Sequence, residues 1–187
     1  GMFSVALSGT LPAQKPAQDV RRIPDAKGVA YAAEVAPGLY RGGMPDEEGI
    51  RWLRDLGVRT IINLRHFHGR SEGKLVRAQG IRYEWIPLES SAPPSNGQVE
   101  RFMKLVTDSS LRPLYVHCLH GVDRTGTMMA LYRMEVDGWT NEHALAEMEQ
   151  FGAHPMWRDL RKFVKEYRRT GRWSSSTTQP KGKNGRR

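Results

Sequence analysis

The sequence predicts an α/β fold, a central, mostly parallel sheet flanked by helices. Three observations lead there. Segments of strand character and segments of helical periodicity alternate through most of the chain. Two of the strand segments, Val58-Arg59-Thr60-Ile61-Ile62-Asn63-Leu64 and Pro113-Leu114-Tyr115-Val116-His117, read as strands buried in the sheet's interior. The second runs straight into a turn, Cys118-Leu119-His120-Gly121-Val122-Asp123-Arg124-Thr125-Gly126, and then into a helix-like run, Thr127 to Tyr132. The loop that follows a core strand is where sheets of this kind bind ligands.

The 187 residues suit one domain, long enough to bury a core without disulfides or metals. The single cysteine allows no internal disulfide, and the six histidines are scattered without zinc-ligand spacing, so neither a metal nor another cofactor is expected. No apolar run is long enough to span a bilayer, which predicts a soluble chain. Its net charge of +9 is uneven. Residues 1–170 hold 24 basic and 20 acidic side chains, and the five basic residues from Arg172 onward face no acidic one. A mildly basic core suits the handling of phosphate esters. No platform of interleaved aromatic and basic residues is present, so no nucleic-acid partner is expected. A lone thiol points to a reducing cytoplasm, although an exported soluble domain with one free cysteine has the same composition. Nothing in the sequence bears on oligomeric state.

Residues 1–30 are expected to be a mobile leader, with Pro12 and Pro16 in an aperiodic stretch and ordered structure starting between Asp19 and Tyr31. The domain proper covers 31–170. Val35 to Arg41 reads as a short strand interrupted by a Pro37-Gly38 turn. Asp46 caps a helix whose first turn carries Glu47 and Glu48, whose apolar face is Ile50, Leu53 and Leu56, and which Gly57 stops. After the Val58–Leu64 strand the scheme repeats, with a helix over Glu72 to Gln79, a stop at Gly80 and a strand over Ile81 to Leu88. Ser95 and Gln98 have capping-box spacing ahead of a helix bearing Val99, Phe102 and Val106. Thr140 caps a helix with Ala144, Leu145 and Met148 inward and Gly152 at its end. A last amphipathic helix is expected over Pro155 to Arg169, and residues 171–187 form a basic, disordered tail. Met128, Met129 and Met134 are expected to be core packing.

The chemistry lies in the turn. A strand, a tight turn and a helix start aim several backbone N–H groups at one point, which suits a tetrahedral oxyanion. Arg124 adds a planar fork of donors for two phosphate oxygens. A sulfur in that cradle, at Cys118, is favoured as thiolate, and the Thr125 hydroxyl is placed to donate to it. Leu119, His120, Gly121, Val122, Asp123 and Arg124 make up the phosphate-binding loop.

His117-Cys118, Gly121 and Arg124-Thr125-Gly126, in this order and spacing, resemble the signature loop of the cysteine-dependent protein tyrosine and dual-specificity phosphatases. Gly38-Leu39-Tyr40-Arg41-Gly42-Gly43-Met44-Pro45 and Asn63-Leu64-Arg65 are similar to the opening of compact atypical dual-specificity phosphatases of plants, fungi and bacteria. The resemblance spans Val35 to Tyr167 and implies a dual-specificity-phosphatase-like fold. It also implies a two-step hydrolysis in which Cys118 attacks phosphorus while Arg124 and the loop amides hold the equatorial oxygens. The substrate it implies is a phosphorylated protein, a phosphoinositide or an inositol polyphosphate. In the resembling families the histidine before the cysteine sets the sulfur's pKa and orients the loop, and His117 has that place or a plain packing role. The aspartate that these families keep on the preceding loop is missing from Ile86 to Pro94, which leaves Glu89 and Asp123 as rival general acids. Asp123 reads equally as a salt-bridge partner that orients a basic residue or pins the loop, and Glu89 as a solvated loop residue. His120 is expected at the rim, and Arg41 and Arg65 are surface arginines within reach of it. A phosphate-binding pseudophosphatase and a sulfurtransferase-like anion loop are the alternatives.

Overall fold

The computed structural model describes residues 19–67 and 69–173. Six strands form one sheet in the order β1-β2-β3-β6-β4-β5. These are β1 (Arg21–Arg22), β2 (Ala33–Ala36), β3 (Leu39–Gly42), β4 (Thr60–Asn63), β5 (Arg82–Trp85) and β6 (Leu114–His117). β1, β2 and β3 pair antiparallel, whereas β3, β6, β4 and β5 run parallel. The register places the site. Gly42, His117, Asn63 and Trp85 stand on one row, so all four parallel strands end level and their following loops converge.

Alternation along the strands divides the core into two layers. Leu114, Val116 and Ile62 face the helices α3 (Asn96–Thr107), α4 (Asp123–Glu135), α5 (Asn141–Gln150) and α6 (Arg158–Glu166). Tyr115 and Ile61 face α1 (Glu47–Asp55) and α2 (Gly69–Ala78). Helix α4 is buried along nearly its whole length, and Met128, Met129 and Met134 lie fully inside the core. No helix among the described residues is long and apolar enough to cross a membrane.

The caps follow the sequence. Asp46 accepts from Gly49 N, Ser95 and Gln98 close a capping box, and Thr140 accepts from His143 N. Several boundaries differ. The interrupted strand is a β2–β3 hairpin in which Gly38, at φ +68°, makes the turn. Helix α2 starts at Gly69, three residues before the expected Glu72, and the glycine there leaves room for the Trp85 ring, 2.3 Å from where a Cβ would stand. The ladder of β5 stops at Trp85, and Ile86 and Leu88 instead turn into the core. The last helix covers only Arg158–Glu166, since Tyr167 leaves helical conformation to donate its hydroxyl to Glu135.

Arg21–Arg22 falls inside the stretch expected to be a leader, yet it pairs with Ala33 and Glu34 as an edge strand, with an Arg21–Glu34 ion pair. At the other end, Glu135 is fully buried and accepts from Thr170 N and Oγ1 and from Gly171 N, so the chain is clasped beyond α6. The expectations for residues 1–18 and for 174–187 lie outside the described residues.

Candidate active site

Cys118 follows β6 directly and α4 begins at Asp123, so strand, turn and helix meet as the sequence requires. Val122 stands at the N-cap of α4 and offers no side-chain cap. The first-turn N–H groups of the helix therefore remain available to an outside acceptor. Cys118 is 2% exposed, and its Sγ accepts from Gly121 N at 3.3 Å. Gly121 has φ +77°, and a Cβ there would lie 2.2 Å from the Gly42 carbonyl carbon, so glycine alone fits.

The carbonyls of the turn are held from outside it. Cys118 O lies 3.0 Å from His117 Nδ1, Leu119 O accepts from Met44 N at 3.0 Å, and Gly121 O accepts from Arg41 Nη2 at 2.9 Å. In a trans peptide the C=O and the next N–H point to opposite sides. The N–H groups of Leu119, His120 and Val122 are thus turned away from these partners, and none has an acceptor among the described residues. Amides turned inward, an uncapped helix start and a sulfur among them make an oxyanion cradle.

Behind the cradle the packing is dense and charged. Arg41 is fully buried, not the surface arginine that the sequence suggests. It stacks 3.6 Å over the Phe151 ring, which carries Arg22 at 3.5 Å as well. Two guanidinium groups that close to one ring centre must occupy opposite faces, so a column Arg22–Phe151–Arg41 rises to Gly121 O. Burial holds the Arg41 pKa down to about 10, with Glu147 and the Cys118 sulfur raising it. Its Nε and Nη1 have no hydrogen-bond partner among the described residues. Gly126, the last glycine of the motif, leaves room for Met148, 2.8 Å from where its Cβ would be, with Arg41 Nη2 at 3.7 Å.

His117 is also fully buried, with Nε2 2.7 Å from Glu72 Oε1. The other Glu72 oxygen accepts from Asn63 Nδ2 at 3.0 Å and meets Arg65 Nη1 at 3.4 Å. Arg65, expected on the surface, is thus mostly covered and tied to Glu72. The Thr125 hydroxyl, expected to serve the sulfur, is buried without a hydrogen-bond partner among the described residues, and Gly121 N takes that place.

The front is open. Leu119 and His120 are exposed, and Arg124 is half-buried with Nη1 3.4 Å from Leu88 O. That contact brings the Leu88–Glu89 loop beside the cradle. Glu89 points into a pair with His66 Nδ1 at 3.1 Å, and its side chain is 58% exposed. Asp123 is nearly buried and gives both carboxylate oxygens to one residue: Oδ1 accepts from His154 N at 2.8 Å and Oδ2 lies 2.7 Å from His154 Nδ1. The His120 and His154 rings are 6.2 Å apart. Sequence reasoning passed over Glu72, Phe151 and His154. They come from α2 and from the α5–α6 connection, and nothing local marks them as partners of a loop so far along the chain.

A family model described as DSP-PTPase phosphatase fused to NAD+ kinase matches residues 18–166. The chloroplastic NAD kinase 2 of Arabidopsis thaliana is 34% identical over 110 residues, 56% of this chain and 11% of that protein. The dual specificity protein phosphatase TpbA of Pseudomonas aeruginosa is 27% identical over 133 residues, 70% of this chain and 60% of its own. The inositol diphosphatase DSP1 of Oryza sativa is 26% identical over 126 residues, 65% of this chain and 56% of its own. The chain therefore spans about a tenth of the plant kinase and less than two thirds of the other two. A crystal structure of TpbA in complex with phosphotyrosine superposes with a TM-score of 0.67 at 23% identity, covering 82% of this chain and 91% of that one.

Proposed function

Because this chain belongs to the family of DSP-PTPase phosphatases fused to NAD+ kinase, we propose that it hydrolyses phosphate monoesters through a phosphocysteine intermediate. The observation that carries the reading is the cradle itself: Cys118 Sγ under the Gly121 N–H, at the uncapped start of α4, with outward-held carbonyls and Arg124 at its edge. In the first step the thiolate attacks phosphorus and the ester oxygen leaves, while the loop amides and the Arg124 fork stabilise the charge on the equatorial oxygens. In the second, water attacks the phosphocysteine and releases phosphate.

The rim favours an aryl phosphate on a protein as substrate. Leu119 is 44% exposed and Met44 39%, and Phe67 and Met156, which stand beside His66 and near His154, are exposed as well. Between Cys118 and Arg124 there is no lysine or arginine to meet the further phosphates of an inositol polyphosphate. The phosphotyrosine bound to TpbA supports this reading, and the name of the rice relative supports an inositol diphosphate as the second.

The test is para-nitrophenyl phosphate with no metal added, followed by phosphotyrosine peptide and inositol diphosphates at equal concentration. Turnover that disappears in Cys118→Ser, with vanadate still bound, supports the phosphatase. A sulfurtransferase or a pseudophosphatase would leave the ester intact in the wild type. A preference for inositol diphosphates would overturn the aryl reading alone.

A further inference from the structure

The departing ester oxygen needs a proton, and the preceding loop has no aspartate to supply it. We propose that His154, held by Asp123, is the proton donor to the leaving group, so that the donor comes from the α5–α6 connection; this rests on the phosphatase reading above.

Asp123 lies inside the loop, one residue before Arg124, and is only 9% exposed at its side chain, whereas the His154 side chain is 46% exposed. Both Asp123 oxygens are engaged by His154, one by its backbone N–H and one by Nδ1. A carboxylate used twice as acceptor is arranged to orient a ring. It fixes the proton on Nδ1 and leaves Nε2 to carry the one that moves. The backbone bond matters as much as the ring contact, because it ties the position of residue 154 to the loop that grips the phosphate. The titratable groups that face His154 are Asp123, from the start of α4, and His120, from the turn, whose ring is 6.2 Å away. Glu89 is differently placed: it pairs with His66 at 3.1 Å.

The chemistry balances without a co-reactant. As the Sγ–P bond forms, the P–O bond breaks and its electron pair goes to the leaving oxygen, which takes the proton from His154 Nε2. The neutral ring then accepts a proton from the water that attacks phosphorus, the S–P bond breaks back to thiolate, and phosphate leaves with the donor recharged.

The experiment compares wild type, His154→Gln, Asp123→Asn, the double variant and Glu89→Gln on aryl phosphates whose leaving groups run from para-nitrophenol to phenol, with an alkyl phosphate at the end. For His154→Gln the expected loss is under tenfold on para-nitrophenyl phosphate and about 100-fold or more on phenyl and alkyl phosphates, with the alkaline limb of the pH–rate profile flattened. Asp123→Asn should show the same leaving-group trend, and the double variant should be little worse than either single one. Since the His154 ring is half open, imidazole added to His154→Ala should restore part of the phenyl phosphate rate. A loss independent of the leaving group, or a selective loss in Glu89→Gln instead, overturns the proposal while Cys118-dependent turnover of para-nitrophenyl phosphate keeps the phosphatase. No turnover of any ester by the wild type removes both.

Discussion

Two histidines flank the nucleophile, and each stands 2.7 Å from a carboxylate. His117 lies behind the sulfur with no exposed surface and Glu72 closes over it, whereas His154 lies in front with its ring half open. A ring sealed from water has no route by which to exchange a proton with solvent once per turnover. Its hold on Cys118 O and its contact with Glu72 are what it can contribute. An open ring whose far nitrogen has no partner among the described residues can give and regain a proton. The same pair of residue types thus serves as a fixed support on one side of the cradle and as moving chemistry on the other, and burial decides which.

The first way to sharpen that contrast is to remove what both sides depend on. Arg124→Lys keeps the charge but loses the bidentate grip, so kcat/KM on para-nitrophenyl phosphate should fall by roughly 1,000-fold or more. The loss should be the same for every leaving group, because the grip acts on the equatorial oxygens. A variant within tenfold of wild type would mean that Arg124 does not hold the phosphate.

Next comes the buried support. Glu72→Gln leaves the His117 ring without its carboxylate and Arg65 without its partner. The rate should drop about 10- to 100-fold for good and poor leaving groups alike. A loss confined to poor leaving groups would give His117 a proton-transfer role and erase the distinction between front and back.

How far these roles were legible differs by region for a physical reason. The cradle is local: strand, turn, glycine and arginine are neighbours in sequence, and backbone geometry carries the rest, so Cys118, Gly121 and Arg124 stood out at once. Caps at Asp46, Ser95 and Thr140 were legible for the same reason. The supports are not local. Glu72 reaches His117 because Asn63 and His117 share a row of the sheet, and Arg41 reaches Gly121 because β3 lies beside β6. Arg41 was read as a surface residue because an arginine in a strand usually is one. The hydroxyl of Thr125 was given to the sulfur because the motif suggested it, but Gly121 N occupies that position.

Arg41 provides a third test, with effects on rate and stability of opposite sign. A guanidinium whose folded pKa, about 10, lies below its ordinary 12.5 costs stability at every pH below that value, neutral pH included. By linkage the cost is about 3 kcal/mol. Arg41→Met should therefore melt at or above the wild-type temperature, yet turn over roughly tenfold more slowly, because Gly121 O is released and the Val122 N–H loses its aim. A large fall in Tm with unchanged kcat would show that the Arg22–Phe151–Arg41 column serves the fold and not the cradle.

The smallest expected effect falls on Glu89, and it bears most directly on the comparison. Glu89 sits on the loop that touches Arg124 through Leu88 O, so position alone would let it compete with the His154–Asp123 pair for the leaving group. Its side chain is 58% exposed, and His66, with which it pairs, is a third exposed. An ion pair that open contributes little to stability, so Glu89→Gln should leave the melting temperature in place. If the proton comes from the front histidine, the variant should also stay within about twofold of wild type on phenyl phosphate, and its alkaline limb should persist. A selective collapse on phenyl phosphate would move the donor to the Leu88–Glu89 loop. His154 would then be a pin for Asp123, and both histidine–carboxylate pairs would be supports, one buried and one merely exposed.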